Sequence, residues 1–122
     1  YQGIPFYKRG DLVEEALDYL HLHWNDPNLF MEVLYQHLFV SKSHLCTLFK
    51  QDLGITPIQY LNRLRIKKAC EMIRENPDSV QQIYSAVGYT QYSTFYVNFK
   101  NYTGFSIREY CKAMKIYDSL NT

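Results

Sequence analysis

The amino-acid sequence predicts an all-α fold, and three features carry that expectation. Helix caps and helix stops alternate along the chain at short intervals. Between them, apolar residues fall three and four positions apart, the spacing that gathers side chains on one face of a helix. The later part of the chain also repeats the earlier part at a displacement of 50 residues. β-Branched residues seldom occur together and no two-residue alternation persists, so no segment reads as a strand.

In chain order, Asp11 and Glu14 form a capping box ahead of an apolar stripe at Leu12, Val13, Ala16, Leu17, Leu20 and Trp24. Such side chains are favoured there because the first helical turn leaves N–H groups without partners. Asp26, Pro27 and Asn28 end this helix and start a second. Ser41 caps a third, in which Leu45, Leu48 and Phe49 face inward and which Gly54 stops. Thr56, Pro57 and Gln59 supply a cap, a proline at the first helical position and a box partner. They open a long helix that ends near Glu75, before Asn76 and Pro77. Ser79 with Gln82 opens a fifth helix, stopped by Gly88. A sixth runs from about Gln91 to Tyr102 and stops at Gly104, and Ser106 with Glu109 opens the last.

Displaced by 50 positions, Val33 falls on Ile83, Ser43 on Ser93, Leu45 on Phe95, and Phe49 with Lys50 on Phe99 with Lys100. Gly54 falls on Gly104, Thr56 on Ser106 and Tyr60 on Tyr110. Each copy is a short helix, a turn, a second helix with polar outer positions, a glycine stop and the cap of the next helix. That is the layout of a helix-turn-helix unit. Solenoids of helical hairpins also repeat, but they stack many copies without a long helix between them. Here roughly 18 helical residues separate the copies, about 27 Å of helix. That length is comparable to the ~34 Å between successive major-groove faces of B-DNA, so the second helix of each copy is expected to enter an adjacent groove turn.

The 13 lysines and arginines nearly balance the 12 aspartates and glutamates, but their distribution is uneven. Residues 1–32 set Lys8 and Arg9 against Asp11, Glu14, Glu15, Asp18, Asp26 and Glu32. Residues 41–74 set Lys42, Lys50, Arg63, Arg65, Lys67, Lys68 and Arg74 against Asp52 and Glu71. Local potential attracts a polyanion, so the second stretch points to nucleic acid. Residues 79–104 offer only Lys100. No apolar run reaches the ~18 residues of a membrane span, and no signal-peptide pattern opens the chain. Cys46, Cys70 and Cys111 are odd in number and lack C-x-x-C pairing, which suits a reducing, cytoplasmic compartment and neither a disulfide framework nor a zinc site. His21, His23, His37 and His44 make no ligand spacing that survives placement on helices. No Ser-His-Asp grouping, carboxylate pair or phosphate-cradling glycine loop is visible, so neither an enzyme nor a metal or other cofactor is expected. The 12 tyrosines would suit a single-strand platform on a sheet. Trp24, Tyr60, Phe95, Phe99 and Tyr110 fall instead at helical spacing and read as core.

Residues 40–54 (VSKSHLCTLFKQDLG), then 60–65 (YLNRLR) and Ala69, resemble the first half of the AraC/XylS-type DNA-binding domain. Residues 83–89 (IYSAVGY), with Phe95, Phe99, Lys100, Gly104 and Tyr110, resemble its second-half signature. The resemblance runs over about residues 10–112. It implies a monomeric, homeodomain-like reading head of seven helices for double-stranded DNA, forming the C-terminal part of a bacterial transcription regulator. The partners it implies are RNA polymerase and an N-terminal sensing or dimerisation domain, with no membrane. The chain then divides into a leader at 1–10, a first helix-turn-helix subdomain at 11–56, a linking helix at 57–75, a second subdomain at 76–116 and a tail at 117–122.

With Leu45, Leu48 and Phe49 inward, positions 42, 43, 46, 47 and 50 face outward. With Phe95 and Phe99 inward, Tyr92, Ser93, Val97 and Asn98 do so. Ser43, Cys46 and Thr47, then Tyr92, Ser93 and Val97, match positions at which the family touches base edges. Asn98 adds an amide suited to a base. None is charged, so direct readout is expected to be modest, with thymine methyls meeting Val97 and the Thr47 methyl and with a share left to DNA shape. Ser41, Lys42, Lys50, Arg63, Lys67 and Lys100 are expected on phosphates, which position the protein without reading sequence. Arg65 stands at a family hallmark and equally suits a structural pairing with a core carboxylate.

Three departures stand out. Phe39 replaces a usual turn glycine, so the backbone there must avoid positive φ or carry strain. Ile107 replaces a proline, and Cys111 an arginine, which bear on the docking of the last helix and on a phosphate contact. Two other classes stay open: a protein-interaction module whose second unit contacts RNA polymerase or a partner domain, and an alkyl-transfer repair protein with Cys46 or Cys70 as acceptor.

Overall fold

The computed structural model describes residues 9–78 and 80–121. Among them are seven helices and no strand: α1 (Arg9–His23), α2 (Met31–Leu38), α3 (Lys42–Leu53), α4 (Pro57–Glu75), α5 (Ile83–Ala86), α6 (Tyr92–Thr103) and α7 (Ile107–Asn121). The described residues form two compact units, one up to Trp24 with Asn28–Leu61, the other Asn25–Pro27 with the chain from Asn62. Helix α4 contributes to both.

In the first unit α1, α2 and α3 pack on one another. Its core gathers Leu12, Val13, Ala16 and Leu20 of α1, Leu34 and Leu38 of α2, Leu45, Leu48 and Phe49 of α3, and Leu61. Trp24 and Tyr60 pack against that cluster. In the second unit α5 and α7 each pack on α6. Leu64, Ile66, Ala69, Ile73, Ile83, Val87, Phe95, Phe99 and Ile107 are buried there. Each of the larger ones contributes roughly 1.5–3 kcal/mol when fully withdrawn from water. Ile107 and Cys111 are both buried, so α7 is held by apolar contacts at the two positions where the family's proline and arginine are absent.

The caps explain most boundaries. Ser41 Oγ accepts from the His44 N–H at 3.1 Å. Thr56 and Gln59 exchange bonds of 2.9 and 3.3 Å, and Ser106 and Glu109 exchange bonds of 3.0 and 3.1 Å, two complete capping boxes. The Ser106 bonds also hold the Glu109 carboxyl below its usual range. Gly54 and Gly104 end α3 and α6 in the left-handed region, φ 78° and 81°, returning their N–H groups to the carbonyls of Lys50 and Lys100.

Elsewhere the sequence expectation needs correction. Helix α1 begins at Arg9, so Asp11 lies inside the first turn, where its charge complements the helix dipole, and is not the cap. Helix α2 starts at Met31 rather than after Pro27; its N-cap is Phe30, which has no side-chain bond to offer. The chain turns there on its own backbone, Phe30 N–H to Asn28 C=O at 3.0 Å. Ser79 lies outside the described residues, and α5 is a single turn whose N-cap, Gln82, makes no side-chain bond. The stretch from 117 to 121, expected as tail, continues α7.

The repeat also slips by one residue. Val33 is exposed while Leu34 is fully buried, so Leu34, not Val33, holds the place of Ile83. The same offset of 49 residues aligns the two turns. Val40 N–H reaches Tyr35 C=O at 3.1 Å and Phe39 N–H reaches Gln36 C=O at 3.3 Å. In the second unit Tyr89 N–H reaches Tyr84 C=O at 2.9 Å and Gly88 N–H reaches Ser85 C=O at 3.1 Å. Both are six-residue C-terminal turns that need one left-handed residue. The second unit uses Gly88 at φ 100°, the first uses Phe39 at φ 56°. Of the two options for this departure, the chain takes the strained one. A left-handed L-residue costs about 1–2 kcal/mol, and the Phe39 ring is 65% exposed, so little packing offsets it. Phe39→Gly is therefore expected to stabilise the protein by about 1 kcal/mol after allowing for glycine's looser unfolded chain. Urea unfolding checks this; a lower midpoint would show that the ring contributes more than the strain costs.

Candidate nucleic-acid interface

The candidate interface lies on α3 and α6, the second helix of each helix-turn-helix pair, α2–α3 and α5–α6. Burial of Leu45, Leu48 and Phe49 fixes the rotation of α3, and burial of Phe95 and Phe99 fixes that of α6. On α3 this leaves Ser41, Lys42, Ser43, Thr47 and Lys50 exposed. On α6 it leaves Tyr92, Ser93, Val97 and Lys100 exposed. Ser93, Val97 and Asn98, with Thr94, line one shallow surface depression. At the repeat-equivalent pairs 43/93 and 47/97 both residues face solvent, and at 45/95 and 49/99 both are buried.

Two candidate base readers are partly engaged by the protein itself. Cys46 is half-buried, and its thiol shares a hydrogen bond with the Tyr35 hydroxyl. Burial first and this neighbour second push that phenol up to about 12. Asn98 is half-buried and its Nδ2 donates to the Tyr89 hydroxyl at 3.4 Å; that hydroxyl donates to Asn62 Oδ1 at 2.8 Å. The Asn98 amide is thus one end of a chain through α6, the α5–α6 turn and α4. Residues 62 and 89 lie within the two quoted motifs, but the sequence gives no local sign that they meet.

Arg65 takes the structural role. It is 7% exposed, donates from Nη2 to the backbone carbonyl of Asp26 at 3.0 Å, and lies over the Tyr89 ring at 5.3 Å. Burial lowers its pKa, with Tyr89 and Asp26 opposing. The cations Arg63 and Lys67 are exposed on α4, Arg63 lying 5.8 Å from the Tyr102 ring centroid. Arg74, on the same helix, donates from Nε to the Tyr110 hydroxyl at 3.1 Å.

Of the possible alkyl acceptors, Cys70 is buried and burial pushes its thiol up, away from the thiolate such chemistry needs. Among the described residues no three His, Cys, Asp or Glu side chains gather as metal ligands. No described helix is long and apolar enough to cross a membrane.

These two helix-turn-helix pairs, each presenting an outward face on its second helix, define a double helix-turn-helix domain. Residues 34–113 match the family described as "Helix-turn-helix domain". The chain is 37% identical over 82 residues to the transcriptional regulatory protein HptR of Staphylococcus aureus, covering 67% of this chain and 32% of that protein. It is 34% identical over 101 residues to the raffinose operon transcriptional regulatory protein RafR of Pediococcus pentosaceus, covering 83% and 36%. The matched segment thus spans about a third of the length of these curated relatives. Among solved structures, the C-terminal domain of AraT, a response regulator from Geobacillus stearothermophilus, superposes with a TM-score of 0.79 at 29% identity over 88% of both chains. The C-terminal domain of the two-component response regulator yesN from Fusobacterium nucleatum shares the fold, with a TM-score of 0.73 at 24% identity over 80% of this chain and 95% of that one. The chain belongs to the AraC/XylS-type helix-turn-helix family, the DNA-binding domains of bacterial transcription regulators.

Tyr89 gives the interface scaffold a pH dependence. Burial pushes its phenol from 10.0 up to about 12, against the opposing pull of Arg65 and the Asn98 bond. Below pH 10 both folded and unfolded chains hold the proton. Above it the unfolded chain releases the proton first, so stability falls as pH rises toward 12, by roughly 2–3 kcal/mol from this group. Tyr89→Phe cannot ionise, although it gives up the bond to Asn62. Its stability deficit against wild type is expected to shrink across that window in alkaline urea unfolding. A deficit constant with pH would mean that the folded protein does not hold the proton.

Proposed function

We propose that the chain reads one asymmetric duplex DNA site with two recognition helices, α3 and α6, each in the major groove and in adjacent turns. The observation that carries this reading is the matched pattern of exposure, 43 with 93 and 47 with 97 outward, 45 with 95 and 49 with 99 inward. Two independent units present short polar or apolar side chains from the same positions of the same helix. Ser43, Thr47 and Ser93 offer hydroxyls to base edges, and the Thr47 methyl and Val97 offer apolar contact to thymine methyls. Cys46 and Asn98 contribute through the atoms their protein partners leave available, and Tyr92 stands at the first turn of α6. Ser41, Lys42, Lys50, Arg63, Lys67 and Lys100 take phosphates.

AraT is described as a response regulator. By that likeness the chain is read as the DNA-binding part of a response regulator.

Selection from random duplex DNA, followed by titration of the recovered site at several salt concentrations, tests the reading. The expected result is an asymmetric site of two half-elements one helical turn apart, with affinity that falls steeply as salt rises. Replacing thymine by uracil at single positions is expected to weaken binding only where Thr47 or Val97 meets a methyl. Recovery of one half-element alone would remove α6 from the readers, and uniform tolerance of uracil would remove the apolar contacts.

A further inference from the structure

In sequence the second unit looks short of cations, since residues 79–104 contain only Lys100. The fold supplies them from flanking helices. On α6 the exposed Val97 stands opposite the buried Phe95 and Phe99 and marks the centre of the reading face. At about 100° per residue, Tyr96 and Tyr92 lie about 100° and 140° to one side of Val97, and Tyr102 lies about 140° to the other. Each flank carries a groove. A groove of about 640 Å³ is lined by Tyr92 and Tyr96 and by Arg108, Lys112 and Lys115 of α7. Asp78, also on its wall, holds Lys115 at 2.7 Å. Arg108 and Lys112 are exposed and, among the described residues, no carboxylate holds them. On the other flank a groove of about 550 Å³ is lined by Asn101 and Tyr102 of α6 and by Arg63, Lys67 and Arg74 of α4.

A helix seated in a major groove has a sugar-phosphate strand on either side of it, and cations beside the helix meet those strands. We propose that the α7 groove is a binding site for one of the two DNA strands bordering the base pairs that α6 reads. Arg108 and Lys112 neutralise its phosphates, and the Tyr92 and Tyr96 rings pack against its sugars. The α4 groove receives the opposite strand. The inference rests on the reading of α6 as a recognition helix. It adds two phosphate contacts and turns Tyr92 toward the strand as well as the bases. Arg108 and Lys112 stand four residues apart and so share one face of α7. Asp78 opposes the bound strand and occupies Lys115.

Phosphates carry no sequence, so the groove acts on any duplex, and the operator need not be known to test it. The intact chain, its Arg108→Ala/Lys112→Ala double variant and Asp78→Asn are titrated against a random-sequence duplex at several salt concentrations. Unchanged thermal midpoints would confirm that the variants fold. The double variant is expected to lose about 1.8 from the slope of log K against log salt, two contacts at ~0.9 each. It should also weaken by the same factor on a random duplex and on a selected site. Asp78→Asn is expected to bind more tightly, with a steeper slope. If the double variant keeps the wild-type slope while Val97→Ala erases sequence preference, the groove holds no strand and α6 remains a reader. The groove would then be left for an acidic protein surface. If the wild-type chain shows no salt-dependent binding to either duplex, the DNA reading and the groove proposal fall together.

Discussion

Phe49 and Phe99, both without measurable exposure, fix how α3 and α6, the second helix of each helix-turn-helix pair, are turned. A rotation of either helix by one residue, about 100°, would carry a phenylalanine and a neighbouring Leu45 or Phe95 toward water. At roughly 1.5–3 kcal/mol per side chain this exceeds anything an exposed serine or threonine could return. The outward faces of both helices are therefore set from inside. What faces outward at 43, 47, 93 and 97 follows from what must face inward at 45, 49, 95 and 99.

The same division explains which boundaries were legible in the sequence. Ser41, the Thr56–Gln59 pair and the Ser106–Glu109 pair cap through side chains three residues apart, so their signals are local and readable. The start of α2 was not, because Phe30 caps nothing and the chain turns on backbone bonds that any residue can make. Val33 falls out of register for a related reason: the turn and the helix after it obey two displacements, 49 and 50, which a single sequence offset cannot show. The extra residue lies between the turn and α6, where Tyr89, Thr90 and Gln91 stand against Val40 and Ser41.

Of the candidate site, the outward positions were legible because helical rotation is a local property. The restraints on Cys46 and Asn98 were not. Their partners Tyr35 and Tyr89 reach them from the preceding helix or turn, and Tyr89 continues to Asn62, 27 residues away. Arg65 shows the same limit. The sequence left open a pairing with a core carboxylate; in the fold the side chain meets Asp26, donating to its backbone carbonyl and feeling its charge, and lies over the face of an aromatic ring. Burying a guanidinium is tolerable only when such partners replace water, and sequence spacing does not reveal a carbonyl 39 residues away.

The chemistry of the two outer surfaces also separates two tasks that one residue often performs together. An arginine on a recognition helix both attracts the polyanion and reads guanine. Here the exposed positions 43, 47, 93 and 97, proposed as readers, are neutral, while the cations lie at the ends of α3 and α6 and on α4 and α7. Under the proposed reading, attraction falls on groups that see only phosphate, and discrimination on short side chains that act within contact distance. Such side chains cannot reach across a poorly fitting groove, so the width and deformability of each DNA sequence enter the comparison between sites. Substitution on the neutral faces can accordingly change the sequence read while leaving the electrostatic attraction nearly intact. Substitution among the cations changes how tightly every sequence is held.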